Sequence, residues 1–341
     1  MEINDYGSAV LTTHKILKNY PTATICVAAF LGSSIWFSVN AVADGLFLAW
    51  GLTTIDLGHL TSTVQLGFIL GTLAIALTGI ADRFSASKIF AIAAVIGAIT
   101  NTLFVLSDGN LTIALVTRFA TGLTLAGIYP IGMKLIVRWV PDRAGNVLGW
   151  MVGLLLIGSG LPHCIRGASI ATDWQGVLYI SSGLVLLGGA LIWCLGDGPN
   201  VAVAPSARIG DSLATFAIPN YRAAAHGYFG HMWELYAFFA LTPFLLAASG
   251  VFEGPAVYLG AFAAFCAGGF GCIAGCLLSC KHSGARIACI ALAGSATMCL
   301  LVPILYSIST LTIFTRLDDM GHVRVRRFTA IFGTSSTCVP A

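Results

Sequence analysis

Thr78-Gly79-Ile80-Ala81-Asp82-Arg83-Phe84-Ser85-Ala86-Ser87-Lys88 is a short charged turn set between two apolar runs, residues 58–80 and 89–107. Each run carries almost no charge and has about the 20 residues an α-helix needs to cross the hydrocarbon of a bilayer. The same alternation of apolar run and charged turn continues in both directions. That pattern sets the fold class as all-α, a polytopic bundle of membrane helices.

Working outward, stretches with at most one charge predict spans at 22–43, 58–80, 89–107, 111–133, 146–165, 177–195, 226–248, 256–279 and 287–308. Composition agrees, because the chain is 57% hydrophobic and only 9% charged, against about 25% charged in soluble domains. Its mean hydropathy is +0.89. No water-soluble core could hide that much apolar surface. The first apolar run, with Lys15 and Lys18 before it, resembles a signal peptide but is too long, and it reads as an uncleaved first span.

Sidedness follows from the basic residues, which accumulate in cytoplasmic loops. With the N-terminus inside, the cytoplasmic segments hold Lys15, Lys18, Arg83, Lys88, Lys134, Arg138, Arg143, Arg208, Arg222, Lys281 and Arg286, whereas the opposite loops hold Arg166 alone. The outer loops carry Asp44, Asp56, Asp108, Asp173 and Glu253 instead. This arrangement fits a plasma membrane of bacterial type, the inner membrane. A net charge of +3 spread over separate loops forms no basic face, which excludes nucleic acid as a partner. All cysteines but Cys338 lie in or beside apolar runs, where cysteine packs as a small hydrophobe.

The longest connection, 196–225, separates six predicted spans from three, giving an N-terminal bundle (1–195), a cytoplasmic linker (196–225) and a partial C-terminal bundle (226–310). Residues 311–341 depart from the pattern. Arg316, Arg324, Arg326 and Arg327 fall on the side the topology calls outside, and Asp318, Asp319 and a Ser/Thr cluster interrupt any apolar run. The expectation is a second half cut short near residue 310, the alternative being a cytoplasmic or re-entrant tail with one span miscounted.

The turn at 78–88 resembles the signature loop of the major facilitator superfamily, Gly-x-x-x-Asp-Arg-x-Gly-Arg-Arg. Asp82 and Arg83 match, Lys88 supplies a late positive charge, and Thr78, Ser85 and Ala86 depart from the pattern. Gly275-x-x-x-Ser279-x-Lys281 after the eighth span is similar to that loop without its Asp, and Arg118-Phe119-Ala120-Thr121-Gly122 resembles the family's fourth-helix motif. The resemblance implies a secondary transporter working by alternating access, with its site near mid-bilayer between two bundles. Asp82, Arg83 and Lys88 are then gating candidates, and a simple positive anchor with a capping Asp is the other reading.

An arginine in hydrocarbon costs roughly 2.5 to 3.5 kcal/mol on insertion scales, so Arg118 faces the bundle interior. It either contacts an anionic substrate or coupled proton, or locks helices by bonding backbone carbonyls. His231 and Glu234 sit three apart on the seventh span, and Glu234 is the one acid well inside any span. A buried carboxylate suits proton coupling or substrate contact, and an interhelical hydrogen bond is the plainer alternative. Trp36, Asn40, Gln65, Tyr129, Trp150 and Tyr236 are candidates to line the pocket, while His163 and Arg166 read as interface residues.

Glycines at fourfold spacing, Gly67 and Gly71, Gly145, Gly149 and Gly153, and Gly271 and Gly275, predict close contacts between helices. In the family such contacts lie between the bundles, the second helix meeting an eleventh. Cys272, Cys276 and Cys280 share a face that either packs or recruits soft Cu(I), and no complete metal-ligand set is evident. Neither a cofactor motif nor a catalytic constellation is present, so an enzyme is not expected. Gly158-Ser159-Gly160-Leu161-Pro162 departs from the family's drug-antiporter element. Similarity to nitrate, cyanate and organic-anion porters favours a small organic or inorganic anion, carried with a proton or ion as in symport. A non-transporting remnant is the competing reading.

Overall fold

A computed structural model of the chain describes residues 17–170, 173–200 and 214–317. Lys15, Arg208, Asp211, Arg324, Arg326, Arg327 and residues 318–341 of the polar tail lie outside the described residues. Among the described residues all nine expected spans are helical and no strand occurs. Seven helices are long and apolar enough to cross a membrane: Thr54–Thr78, Ala86–Ser107, Leu111–Trp139, Pro141–Gly167, Trp174–Leu195, Pro255–Ser279 and Gly284–Leu301. Pro219–Ala248 is long enough at 30 residues but less apolar than these. The chain is an integral, multi-pass membrane protein.

The expected first span is not one helix. It is a pair, Pro21–Ile35 and Asn40–Trp50, bent by 50°, and it reaches seven residues beyond the predicted end. The cause is local and distant at once. Ser33, Ser34 and Ser38 each turn their hydroxyl back onto a carbonyl three residues earlier (Phe30, Leu31 and Ile35), competing with the helical ladder. Arg118 of the fourth helix draws the Ile35 and Trp36 carbonyls away as well.

Helix ends follow the capping residues. Thr53 and Asp56 form a reciprocal capping box at the start of Thr54–Thr78, and Asn110 caps Leu111–Trp139 by accepting from the Ile113 amide at 3.2 Å. Gly79, at φ +63°, stops the second helix and lets the chain make the single turn Ile80–Arg83 before the third begins.

The first, third and sixth helices are pinned through Asn101, which is fully buried. Its carbonyl accepts from Ser38 at 2.7 Å, and its amide donates to Leu178 O at 3.1 Å and Ser182 Oγ at 3.0 Å. Such polar pins count inside a membrane because burial of apolar surface does not discriminate protein from lipid.

Glycines set the closest approaches, with a correction to their expected partners. Gly67 and Gly71 abut the fourth helix at Phe119, Gly122 and Leu123, so the second helix spends its small residues inside its own bundle and not on an eleventh helix. Gly149, Gly153, Gly160 and Gly167 of the fifth helix meet Cys276, Gly269, Phe265 and Leu259 of the eighth. Gly145 and Gly271 have nothing within 4 Å of where a side chain would begin. Spacing identified the stripe, but the eighth helix is rotated to present Gly269 instead of Gly271.

By its contacts the chain divides into Met1–Gly284 and Ala285–Ala341. The ninth helix, Gly284–Leu317, is one continuous run of 34 residues. The residues that build the candidate site all belong to the first unit.

Candidate functional site

The break in the first helix places Trp36 and Phe37 where several helices converge. Trp36 is 2% exposed. Its ring lies 4.9 Å from Phe68 of the second helix and stacks 5.8 Å from Tyr236 of the seventh. Phe68 in turn stacks 6.2 Å from Tyr129 of the fourth helix. Four expected lining residues, Trp36, Gln65, Tyr129 and Tyr236, are thus brought into one aromatic cluster. Phe68 escaped the sequence reading, although it stands one turn from Gln65 on the same helix.

Two polar rungs join the first and second helices. The Trp36 indole donates to Gln65 Oε1 at 3.1 Å, and Asn40 Nδ2 donates to Thr61 Oγ1 at 2.9 Å. The pairs run antiparallel, four residues apart on each helix, so they sit one turn from each other. Gln65 Nε2 and Asn40 Oδ1 are buried and have no hydrogen-bond partner among the described residues.

Behind this cluster stands Arg118, fully buried. Its guanidinium donates to the carbonyls of Trp36 at 2.7 Å and Ile35 at 3.3 Å, and to Ser38 Oγ at 3.5 Å. The two main-chain bonds have the geometry of a carbonyl lock, one of the two readings open in the sequence. It holds the first helix open at the turn that presents Trp36.

A family model for the Major Facilitator Superfamily matches residues 25–339. The chain belongs to the major facilitator superfamily. It is similar to the niacin transporter NiaP of Acinetobacter baylyi, 30% identical over 124 residues, which is 33% of this chain and 28% of that protein. It is also similar to solute carrier family 22 member 6 of Danio rerio, 28% identical over 148 residues, or 41% of this chain and 25% of that one. The chain therefore matches about a quarter of the length of these curated relatives. Its fold resembles a bacterial homologue of the human lysosomal transporter Spinster in an inward-facing, unoccupied conformation, with TM-score 0.59 and 18% identity over 78% of this chain and 63% of that one. The occupied conformation matches alike, with TM-score 0.58 and 17% identity over 78% of this chain and 62% of that one.

In the superfamily's signature loop, Asp82 pairs with Lys134 of the fourth helix, whose ammonium also donates to the Ala81 carbonyl. Arg83 and Lys88 are exposed and make no ion pair among the described residues. A second clasp closes the same end of the major facilitator bundle. Asp197, just past the sixth helix, accepts from the Ser87 amide at 2.6 Å and lies 3.5 Å from Arg138. Sequence reading counted Lys134 and Arg138 as loop charges and gave Asp197 no role, since only the fold brings these loops together.

Burial works against the Asp197 carboxylate, but hydrogen bonds from Ser87 and Ser85 and the Arg138 charge outweigh it and hold its pKa below the usual carboxylate value. A carboxyl with a folded pKa below its unfolded one stabilises above the unfolded value, about 4, and loses that contribution as pH falls through the folded value. Asp197→Asn is therefore expected to lower the melting temperature in detergent at pH 7. The gap from the natural protein should shrink on acidification below pH 4. An equal gap at both pH values would exclude the ionic clasp.

At the opposite end Arg166 pairs with Asp44 at 2.9 Å and lies 5.9 Å above the Tyr258 ring. This ties the fifth, first and eighth helices. Arg166, expected as an interface residue, is engaged here with side chains of the first and eighth helices. His163 is fully buried, edge-on to Phe265 at 5.4 Å, and neither ring nitrogen has a partner among the described residues. Phe265 also stacks 4.0 Å from Phe239 and meets Phe37 at 5.3 Å, an aromatic wall that no sequence spacing announced.

The other expected site residues lie apart. Trp150 is 46% exposed, outside the cluster. His231 and Glu234 face each other at 3.9 Å on a half-exposed side of the seventh helix, Glu234 standing two residues before Tyr236 and so about 200° from it around the axis. Among the described residues no group of His, Cys, Asp or Glu could hold a metal ion, Cys272, Cys276 and Cys280 included.

Proposed function

We propose that the chain moves a small, planar organic anion across a membrane by alternating access, coupled to protons. The observation that carries this reading is the aromatic cluster at the helix break, where Tyr236, Trp36, Phe68 and Tyr129 from four helices make a run of ring contacts and Trp36 bonds the polar side chain of Gln65. Binding sites of this kind combine apolar and aromatic walls with a few placed polar groups, and ring faces favour flat ligands by offset stacking. Niacin, the molecule in the name of one relative, is a flat pyridine carboxylate of this class.

Glu234, beside His231 on the helix that carries Tyr236, is the proposed coupling acid, because ionisable groups at membrane depth are costly and mark proton relays. Asp82, Arg83 and Lys88 form the proposed gate with Lys134. The excess of basic residues on their side favours a cytoplasmic N-terminus in an inner, bacterial plasma membrane.

Radiolabelled nicotinate and benzoate, offered to proteoliposomes with an acid exterior, test the reading. The expected result is uptake several-fold above empty liposomes that collapses when a protonophore removes the gradient. Uptake equal to empty liposomes for both acids would overturn it in favour of a non-transporting role.

A further inference from the structure

The two rungs between the first and second helices leave a pattern of opposite sign. The Trp36 indole can only donate, so its bond at 3.1 Å fixes the Gln65 amide with oxygen toward the indole. What remains at that rung is the Gln65 Nε2 donor, buried and unpartnered. One turn away the order is reversed. The Thr61 hydroxyl donates to the Leu57 carbonyl at 2.8 Å, so its oxygen must accept from Asn40 Nδ2 at 2.9 Å. What remains there is the Asn40 Oδ1 acceptor, on a residue 1% exposed.

We infer that Gln65 and Asn40 read two edges of the transported ring, and that the preferred substrates are aromatic carboxylates or carboxamides carrying a hydroxyl or amino donor across the ring. Resting on the aromatic-anion reading above, the inference narrows it. Along the second helix Thr61 and Gln65, which anchor the two rungs, are four residues apart, a rise of about 6 Å and roughly the span from a ring carboxylate to a substituent on the far side. The carboxylate oxygen accepts from Gln65 Nε2, the hydroxyl or amino hydrogen goes to Asn40 Oδ1, and the ring lies against the aromatic faces. A substrate without the donor leaves Asn40 Oδ1 unpaired in a dry site, and sites built for a hydrogen bond reject the analogue that lacks it.

The test compares equilibrium binding of benzoate, 4-hydroxybenzoate and 4-aminobenzoate to the purified full chain in detergent. The natural protein is expected to bind the two substituted acids about tenfold or more tightly than benzoate, the worth of one well-placed hydrogen bond. In Asn40→Val that ratio falls to near one. In Gln65→Met all three acids weaken by a similar factor, so the ratio survives. Benzoate binding as tightly as the substituted acids to the natural protein overturns this inference while leaving the aromatic-anion reading intact. A tenfold ratio that persists in Asn40→Val overturns it in the same way. Binding of none of the three overturns both.

Discussion

Replacing Arg118 with leucine is expected to abolish uptake and to lower stability by about 3 to 5 kcal/mol, the largest single effect in the molecule. Hydrogen bonds to charged groups contribute about 1.5 to 3 kcal/mol each, and the guanidinium makes two to main-chain carbonyls, at 2.7 and 3.3 Å. Leucine removes both, leaving the Trp36 carbonyl unpaired and the Ile35 carbonyl with the Ser38 hydroxyl, in a region with no water to make up the loss. The chain could recover by closing the break into continuous helix, which would swing Trp36 away from Phe68 and Tyr236. Arg118→Lys separates charge from geometry. An ammonium is a point donor on a flexible stem and cannot reproduce the planar fork, so an intermediate loss is expected. Thermal unfolding in detergent and proteoliposome uptake read the two effects. A leucine variant with natural stability and uptake would show that the helix break stands without Arg118.

Gly67→Val is expected to yield almost no folded protein, whereas Gly271→Val should be recovered at close to the natural level. Both positions are glycines in fourfold spacing within apolar helices. A Cβ on Gly67 would stand 3.1 Å from the Gly122 Cα and closer still to the Phe119 carbonyl oxygen, both main-chain atoms of the fourth helix. Main chain cannot step aside as a side chain can, so the helices must part and the packing along them is lost. On Gly271 nothing stands within 4 Å, and substitutions at such open sites usually stay within about 0.5 kcal/mol. Size-exclusion profiles of fluorescently tagged variants compare the two directly. Equal recovery of both would contradict the close contact of the second and fourth helices.

That pair of glycines marks how far sequence reading reached. Hydrophobic runs located the nine helices because length and absence of charge are local properties. Asp82 and Arg83 were visible because a charged turn between apolar runs is conspicuous. Rotation about a helix axis is not local, so spacing found Gly67 and Gly71 while the family resemblance gave them a neighbour other than the fourth helix, and spacing chose Gly271 where Gly269 makes the contact. The first span concealed its bend for a similar reason. Its serines hint at one, but the stabilising donor comes from Arg118, 83 residues beyond Ile35.

Trp36, Gln65, Tyr129 and Tyr236 were recognisable as polar or aromatic exceptions in apolar runs, and the fold gathers them. Trp150 met the same criterion and points elsewhere. Lys134 counted only as a loop charge and Asp197 drew no notice, since a charge at a helix end looks the same whether it faces water or a partner.

The meeting of the fifth and eighth helices has a mechanical consequence. Where Gly153 approaches the Gly269 carbonyl and Gly269 approaches that of Gly153, backbone lies close to backbone, with the Ile157 and Ile273 side chains laid over the two glycines. Interdigitated side chains act as gear teeth, and turning one helix against another then requires many rotamers to hop together. A smooth stretch has few teeth to disengage. It behaves as a plain bearing, along which one helix can roll on the other while the two stay in contact.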